Sequence, residues 1–538
     1  MHSTPARPIT DREHAKDAAW RTVVVAVAAA AFIRLLLAAA MPAFPDEAYY
    51  WDWSRRLAAG YFDHPPAVAW LIALGTTALG PTTLGIRLGT LVCALGTTLA
   101  TVGTAARLGG APAAARAALV LACMPLATLG LFLSTTDAPA LCAAAVALYC
   151  LTRALERGRG LAWWAAAGAS LGTGVLSKFT VGLVAAAAAA AFIARPALRA
   201  RLRAPGPWLA VGISTLVSAP VWWWNAHHGW IAVRFQLSHG LGAPVRGTAL
   251  GRELSLVGGQ MGLVSPLLAA AIVVAIAAAL RPRAAMPPDE SSDARVAPLR
   301  DMTFVLGVIA ASVLLFFAYS ALRRPVEPNW PSPAYVAAVP LVACLRTPWL
   351  RRWLGPACAL GGACILLVLV QTARPIVHLP PHRDPVDRAY GWDQLAARAD
   401  AARALTAAST PRGAAVWLAA DRYQDAAELA LHADGTPRVF AFNLGGRPNE
   451  YDLWPSFADA ARRGDALVLA LDASPGGDDV ARRIAPYFGS MQALERVAMT
   501  HERDTVAARR LWSFRDWRGG WPARPPLPPA KVMRSASR

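Results

Sequence analysis

The segment Phe44-Pro45-Asp46-Glu47-Ala48-Tyr49-Tyr50 sets two adjacent carboxylates directly after the first hydrophobic run, and an Asp63-His64-Pro65-Pro66 turn follows. Charge where a chain leaves a bilayer is costly unless it is paired or used. A carboxylate there can take a proton from an acceptor hydroxyl or amine, provided it lies within hydrogen-bond reach. It can also hold a hard divalent cation through its oxygens. Neighbouring residues on a helix diverge, so the pair is expected to divide its work, with Asp46 doing the chemistry and Glu47 supporting it. The plainer alternative is an interfacial acidic pair beside an aromatic belt of Tyr49, Tyr50, Trp51 and Trp53.

Other residues qualify by type and place. Asp137 follows Ser134-Thr135-Thr136 and precedes Ala138-Pro139, which suits either a helix cap or a second site carboxylate. Asp46 and Asp137 are the candidate ligands for a divalent metal, magnesium or manganese. His64 can cap a following helix that has Pro in its first turn, or touch a phosphate. Lys178, in Leu176-Ser177-Lys178-Phe179-Thr180, is the only lysine between Lys16 and Lys531; it reads as a snorkelling anchor or a phosphate contact. Arg323, Arg324, Glu327, Asn329 and Trp330 form a polar knot. Arginine binds phosphate through strong, geometrically selective hydrogen bonds, although either arginine could instead pair with Glu327. Tyr49, Tyr50, Asp63, Glu327, Asn329 and Trp330 are candidates for holding substrate. His227 and His228 are adjacent, a poor arrangement for joint ligation, and Arg34 inside the first run either snorkels or pairs within a helix bundle.

The elements that must position these residues are membrane helices. The chain has 538 residues, 55% hydrophobic and 16% charged, the profile of a polytopic membrane protein. Its net charge of +19 falls in short arginine clusters between apolar runs, so it speaks to topology and not to nucleic acid. The seven cysteines lie in apolar segments without metal-ligand spacing and read as buried small hydrophobes, with no disulfide framework. There is no Gly-rich nucleotide loop, so no nucleotide cofactor is expected. The first apolar run, broken by Arg34 and followed by many more, reads as an uncleaved helix.

A span needs about 20 apolar residues. Candidates are Val23–Met41, Ile86–Ala106, Ala113–Leu133, Ala138–Leu151, Leu161–Leu176, Phe179–Ala194, Trp208–Trp224, Leu254–Leu280, Phe304–Ala321, Pro333–Leu345 and Trp353–Val370. Arginine is concentrated in alternate connections, which makes those cytoplasmic, provided that the Pro65–Leu79 stretch lies along the outer surface. The expectation is an α-helical bundle of about eleven to thirteen spans, with the N-terminus inside. Asp46, Glu47, His64, Asp137, Lys178, His227, His228, Arg323, Arg324 and Glu327 then all emerge on the outer face.

Past Val370 the chain is soluble in character. Short apolar runs at Ala414–Ala419, Arg438–Phe442 and Ala466–Leu471 alternate with helical stretches at Asp425–His432 and Asp479–Tyr487, which indicates a small α/β domain, outside by parity. The expected organisation is a cytoplasmic tail over 1–22 and a transmembrane catalytic domain over 23–372, with loop and surface helices at 42–85. An extracytoplasmic α/β domain over 373–520 and a disordered Pro-rich tail over 521–538 complete it. Pro282–Ser292 reads as a flexible cytoplasmic loop.

Taken in order, the motifs Phe-Pro-Asp-Glu-Ala-Tyr-Tyr, Asp-His-Pro-Pro, Thr136-Asp137-Ala138-Pro139, Leu-Ser-Lys-Phe-Thr and Glu327-Pro328-Asn329-Trp330-Pro331-Ser332-Pro333-Ala334-Tyr335 resemble glycosyltransferase family 39. Its relatives include the protein O-mannosyltransferases and the aminoarabinose transferase that modifies lipid A. The resemblance covers most of the chain. It implies the GT-C superfamily fold, a polyprenyl-phosphate-linked sugar donor, inversion of the anomeric centre, and a lipid A, envelope-glycan, glycolipid or protein acceptor.

By the same resemblance, Asp46 matches the essential acidic residue of the first outer loop, Asp137 the acidic residue of the second, and His64 the histidine of the mannosyltransferases' His-Pro-Pro turn. Where those enzymes continue Leu-Gly-Lys, this chain has Ala67-Val68-Ala69, so Lys178 or an arginine is expected to supply that charge. Asp46 would activate the acceptor, while Lys178, Arg323, Arg324, His64 or a metal meets the departing phosphate. The expected location is the inner or plasma membrane. The rival from another class is a flippase for polyprenyl-linked lipids, which would place polar residues at mid-bilayer and show internal repeats; a scaffold binding cell-wall polymer is a third.

Overall fold

The computed structural model describes residues 11–156, 160–243, 247–281, 296–345, 348–374, 377, 384–502 and 504–522. The first ten residues of the expected tail, the 282–292 loop and the chain from 523 onward lie outside them. Two compact units result: Met1–Ala39, His64–Val68 and Arg87–Ala373 form one, and Ala40–Asp63, Ala69–Ile86 and Arg374–Arg538 the other.

The first unit is helical, as its apolar runs require. Among the described residues, five helices are long and apolar enough to cross a membrane: Glu13–Ala40, Thr83–Ala122, Asp137–Leu155, Leu299–Ala321 and Arg351–Ala373. A sixth is added if the bent pair Ala249–Val264 and Pro266–Leu280 counts as one. The helices Ala162–Ser177, Val181–Ala194 and Pro333–Ala343 fall short of the roughly 20 residues that a span needs.

Three expected spans are redrawn. Thr83–Ala122 breaks at Gly109 and Gly110, where Gly110 has φ 72°, a left-handed conformation open to glycine. The run expected at Ala113–Leu133 therefore stops at Ala122. Met124 is extended, and Pro125–Thr128 makes a single turn before a 3-10 turn at Gly130–Phe132. Irregular backbone within a helical bundle needs protein partners for its polar groups, and two of its carbonyls have them. Arg34, 2% exposed, donates from Nε to the Ala127 carbonyl at 3.0 Å, and the Thr128 hydroxyl donates to the Ala122 carbonyl at 2.9 Å. Arg34 thus pairs inside the bundle.

The run expected at Leu254–Leu280 bends by 102° between its two helices. Pro266 disfavours helical geometry at the residue before it, and Ser265 takes φ 76°. Pro333–Ala343 is buried along its whole length. At 1.5 Å per residue it is about 16 Å long, roughly half a hydrocarbon core.

The second unit combines the first loop with the C-terminal chain. Its sheet has the order β2-β1-β3-β5-β4, with β1 Val416–Ala420, β2 Val439–Ala441, β3 Ala466–Asp472, β4 Phe488–His501 and β5 Asp504–Trp517. β1 pairs parallel with β2 and β3; β5 runs antiparallel to β3 and β4. Phe440, Phe442, Leu467, Leu469, Phe457 and Phe514 are among the side chains that fill its core. The expected α/β alternation is present, with one boundary corrected. The helix expected at Asp479–Tyr487 begins one turn earlier, as Pro475–Ile484, capped by the Ser474 side chain accepting from Gly477 N–H. Pro at the start of a helix costs no hydrogen bond.

Candidate active site

In the second unit the acidic pair lies on a ten-residue helix, Pro45–Ser54, with Pro45 as its first residue. Glu47 turns inward and is 1% exposed; its Oε2 accepts the Phe44 N–H at 3.1 Å, a cap on the helix start. Asp46 is exposed. One turn on, Tyr49 is buried, donating its hydroxyl to Asp63 Oδ2 at 2.6 Å and accepting the Glu450 N–H at 2.7 Å. Tyr50 packs edge-on against Trp53 with ring centroids 4.9 Å apart.

Arg447 forms an ion pair with Asp63 at 2.9 Å and donates to the Tyr423 hydroxyl at 3.2 Å. Burial pushes the Asp63 carboxyl up, while Arg447 and the Tyr49 hydrogen bond pull it back. Burial, with the nearby Asp63 and Glu450 charges, holds Tyr49 well above the usual phenol range, so it remains a neutral donor.

In the first unit Asp137 opens the helix Asp137–Leu155, where a negative charge suits the helix dipole. Both its oxygens are engaged, Oδ1 by Lys178 Nζ at 2.6 Å and Oδ2 by Asn329 Nδ2 at 2.6 Å. Lys178 is 6% exposed and immediately follows the helix Ala162–Ser177. Three sequence candidates thus meet directly. His64 Nδ1 lies 3.3 Å from Gln236 Nε2, on the helix Ile231–Leu241.

Arg323 and Arg324 follow the helix ending at Ala321, and Arg252 donates to the carbonyls of Ala321 and of Leu322 just beyond it, at 2.9 and 2.6 Å. Arg323 lies over the Tyr319 ring at 5.5 Å, and Arg324 Nε is buried without a hydrogen-bond partner. Among the described residues neither arginine pairs with Glu327, which is exposed. Trp330 packs on His239 and Phe317. His227 and His228 face their own helix, each Nδ1 2.8 Å from the carbonyl four residues back.

At Asp137 the surroundings do not fit a divalent cation, because lysine and amide donors already occupy both carboxylate oxygens. Among the described residues no three His, Cys, Asp or Glu side chains gather as a metal site. Sequence reasoning missed Arg447, Tyr423, Glu450 and Gln236. Only the Gly445-Gly446-Arg447-Pro448 loop composition marked the first of them, and loop composition alone carries no chemistry.

Residues 63–224 match the family described as dolichyl-phosphate-mannose-protein mannosyltransferase. The lipid A galacturonosyltransferase RgtD of Rhizobium johnstonii is 26% identical over 412 residues, 76% of this chain and 81% of that protein. ArnT from Cupriavidus metallidurans in its apo state superposes with a TM-score of 0.61 at 18% identity, over 92% of this chain and 98% of that one. Its form bound to undecaprenyl phosphate gives 0.57 at 16%, over 91% and 97%. Over most of its length the chain is thus similar to membrane glycosyltransferases, and it has the ArnT-like fold with a small C-terminal sheet domain.

Proposed function

We propose that this protein is a glycosyltransferase that moves a sugar from a polyprenyl-phosphate donor to lipid A or a related envelope glycolipid at the extracytoplasmic face, inverting the anomeric centre. The observation that carries the reading is the contrast within the acidic pair: Glu47 is buried and caps the helix start, while Asp46 is exposed. Asp46 takes the proton of the acceptor hydroxyl as its oxygen attacks the anomeric carbon. The bond from that carbon to the phosphate oxygen breaks, and polyprenyl phosphate leaves as an anion.

Lys178 retains ammonium protons beyond the one given to Asp137, and with Arg323, Arg324 and His64 it is assigned to the donor phosphate. Tyr49, Tyr50, Asp63, Asn329 and Trp330 frame or support substrate. Lysine supplies the positive charge at Asp137, so the reading routes no step through a metal there. Two similarities support the donor and acceptor classes: to ArnT, seen with undecaprenyl phosphate, and to a lipid A galacturonosyltransferase.

The test uses proteoliposomes containing lipid A and undecaprenyl phosphate charged with galacturonic acid or with aminoarabinose, read by mass spectrometry of the lipid A. The wild type modifies lipid A with one of the two, and Asp46→Asn lowers that rate at least about 100-fold. Unchanged transfer by Asp46→Asn would reject the assignment.

A further inference from the structure

The buried group beneath Asp46 is held from the far end of the sequence. Asp63, 3% exposed in its side chain, has one oxygen on the Tyr49 hydroxyl at 2.6 Å and the other 2.9 Å from Arg447. The Tyr49 oxygen is held a second time, by the Glu450 N–H at 2.7 Å. Glu450 in turn accepts the Phe62 N–H at 2.7 Å. Residues 447–450 therefore grip both Tyr49 and the 62–63 turn.

Tyr49 is three residues beyond Asp46, and side chains at that spacing share one face of a helix. Tyr423 closes the arrangement: its ring centroid is 4.5 Å from that of Tyr49, and the Arg447 guanidinium lies 5.5 Å from its centroid while donating to its hydroxyl. The remaining charged groups acting on Asp63 include Asp46, Glu450 and Asp452, all acidic. Arg447 is a cation that offsets them.

We propose that Arg447 is a positioning residue for glycosyl transfer: it holds the Asp63 carboxylate on the Tyr49 hydroxyl, and so fixes the helix rotation that aims Asp46 at the acceptor. This rests on Asp46 being the proton acceptor. The C-terminal domain is then part of the reaction machinery through a side chain that touches neither donor nor acceptor. A buried carboxylate that loses its cationic partner either takes a proton or moves toward water. Either change releases Tyr49, and misplacement of a catalytic group by about 1 Å can cost about 100-fold.

The test measures kcat and KM in the proteoliposome assay for Arg447→Met, Arg447→Lys, Asp63→Asn and the double variant Asp63→Asn/Arg447→Met. Each rate is normalised to folded protein by thermal melting in detergent. Arg447→Met should lower kcat about 30-fold and change KM less than about threefold, the signature of a lost transition-state arrangement. Arg447→Lys should recover part of that loss. The double variant should be no slower than the slower single one, because residues acting as a unit are not additive.

A wild-type kcat per folded molecule for Arg447→Met, or losses that multiply in the double variant, would overturn the proposal. If Arg447→Met does not fold, Arg447→Lys and Asp63→Asn carry the test, and a wild-type kcat for Asp63→Asn overturns it. Asp46→Asn, run alongside, separates the two claims. Its continued activity removes the underlying reading, whereas an inactive Asp46→Asn beside a fully active Arg447→Met removes only the role of Arg447.

Discussion

Asp137 and Lys178 meet at 2.6 Å with side chains 14% and 8% exposed, one at the start of a helix and the other just past the end of a different one. Such a pair is costly to break from one side, since the survivor keeps a buried charge. Lys178→Met should destabilise the protein by about 3–5 kcal/mol, and Asp137→Asn/Lys178→Met should recover most of the loss. Denaturant titration in detergent micelles checks this; a double variant as unstable as Lys178→Met would show that the two charges do not depend on each other.

The acidic pair at 46–47 should separate into an activity phenotype and a stability phenotype. Glu47→Ala removes the acceptor for the Phe44 N–H and should lower stability by about 1 kcal/mol. Its transfer rate per folded molecule should exceed that of Asp46→Asn. Melting curves paired with the lipid A assay report both, and the reverse ranking would transfer the proton-acceptor role to Glu47.

Glu428 makes the C-terminal domain sensitive to pH. It is fully buried, with His432 Nε2 3.3 Å away and Glu47 among the charges acting on it. Burial pushes its carboxyl up to about 7. The unfolded chain loses this proton near the ordinary glutamate value, so stability is highest below that value. It falls as pH rises to about 7 and levels off beyond, a span of about 3 kcal/mol. Hydrogen exchange of residues 423–432, corrected for its intrinsic pH dependence, should show protection falling from pH 5 to 8, and Glu428→Gln should flatten the trend. Equal slopes in the two proteins would contradict this.

How much was legible in the sequence depended on the range of the contact. Asp137, Lys178 and Asn329 each interrupt or border an apolar run, which made them stand out, and they do meet. That Lys178 would answer Asp137 was not readable, because 41 residues separate them and no periodicity links them. The bend at Ser265 was signalled by the Ser-Pro step but outweighed by uniform hydropathy on both sides. The β4–β5 hairpin was missed because β4 is exposed at most positions and so lacks the alternation that marks a half-buried strand. Arg447 lies 384 residues beyond Asp63, in a loop whose composition announces only a turn. Its partner was visible in the sequence and it was not.

The two outer strands of the sheet discourage the growth of fibres and adventitious dimers. An open strand is a template for another chain, and short length, charge and bulges all blunt it. β2 offers three residues, while β4 carries Glu495 and Arg496 at a register shift against β5. Crowded among copies of itself, the domain can therefore collide with its neighbours without zipping onto them.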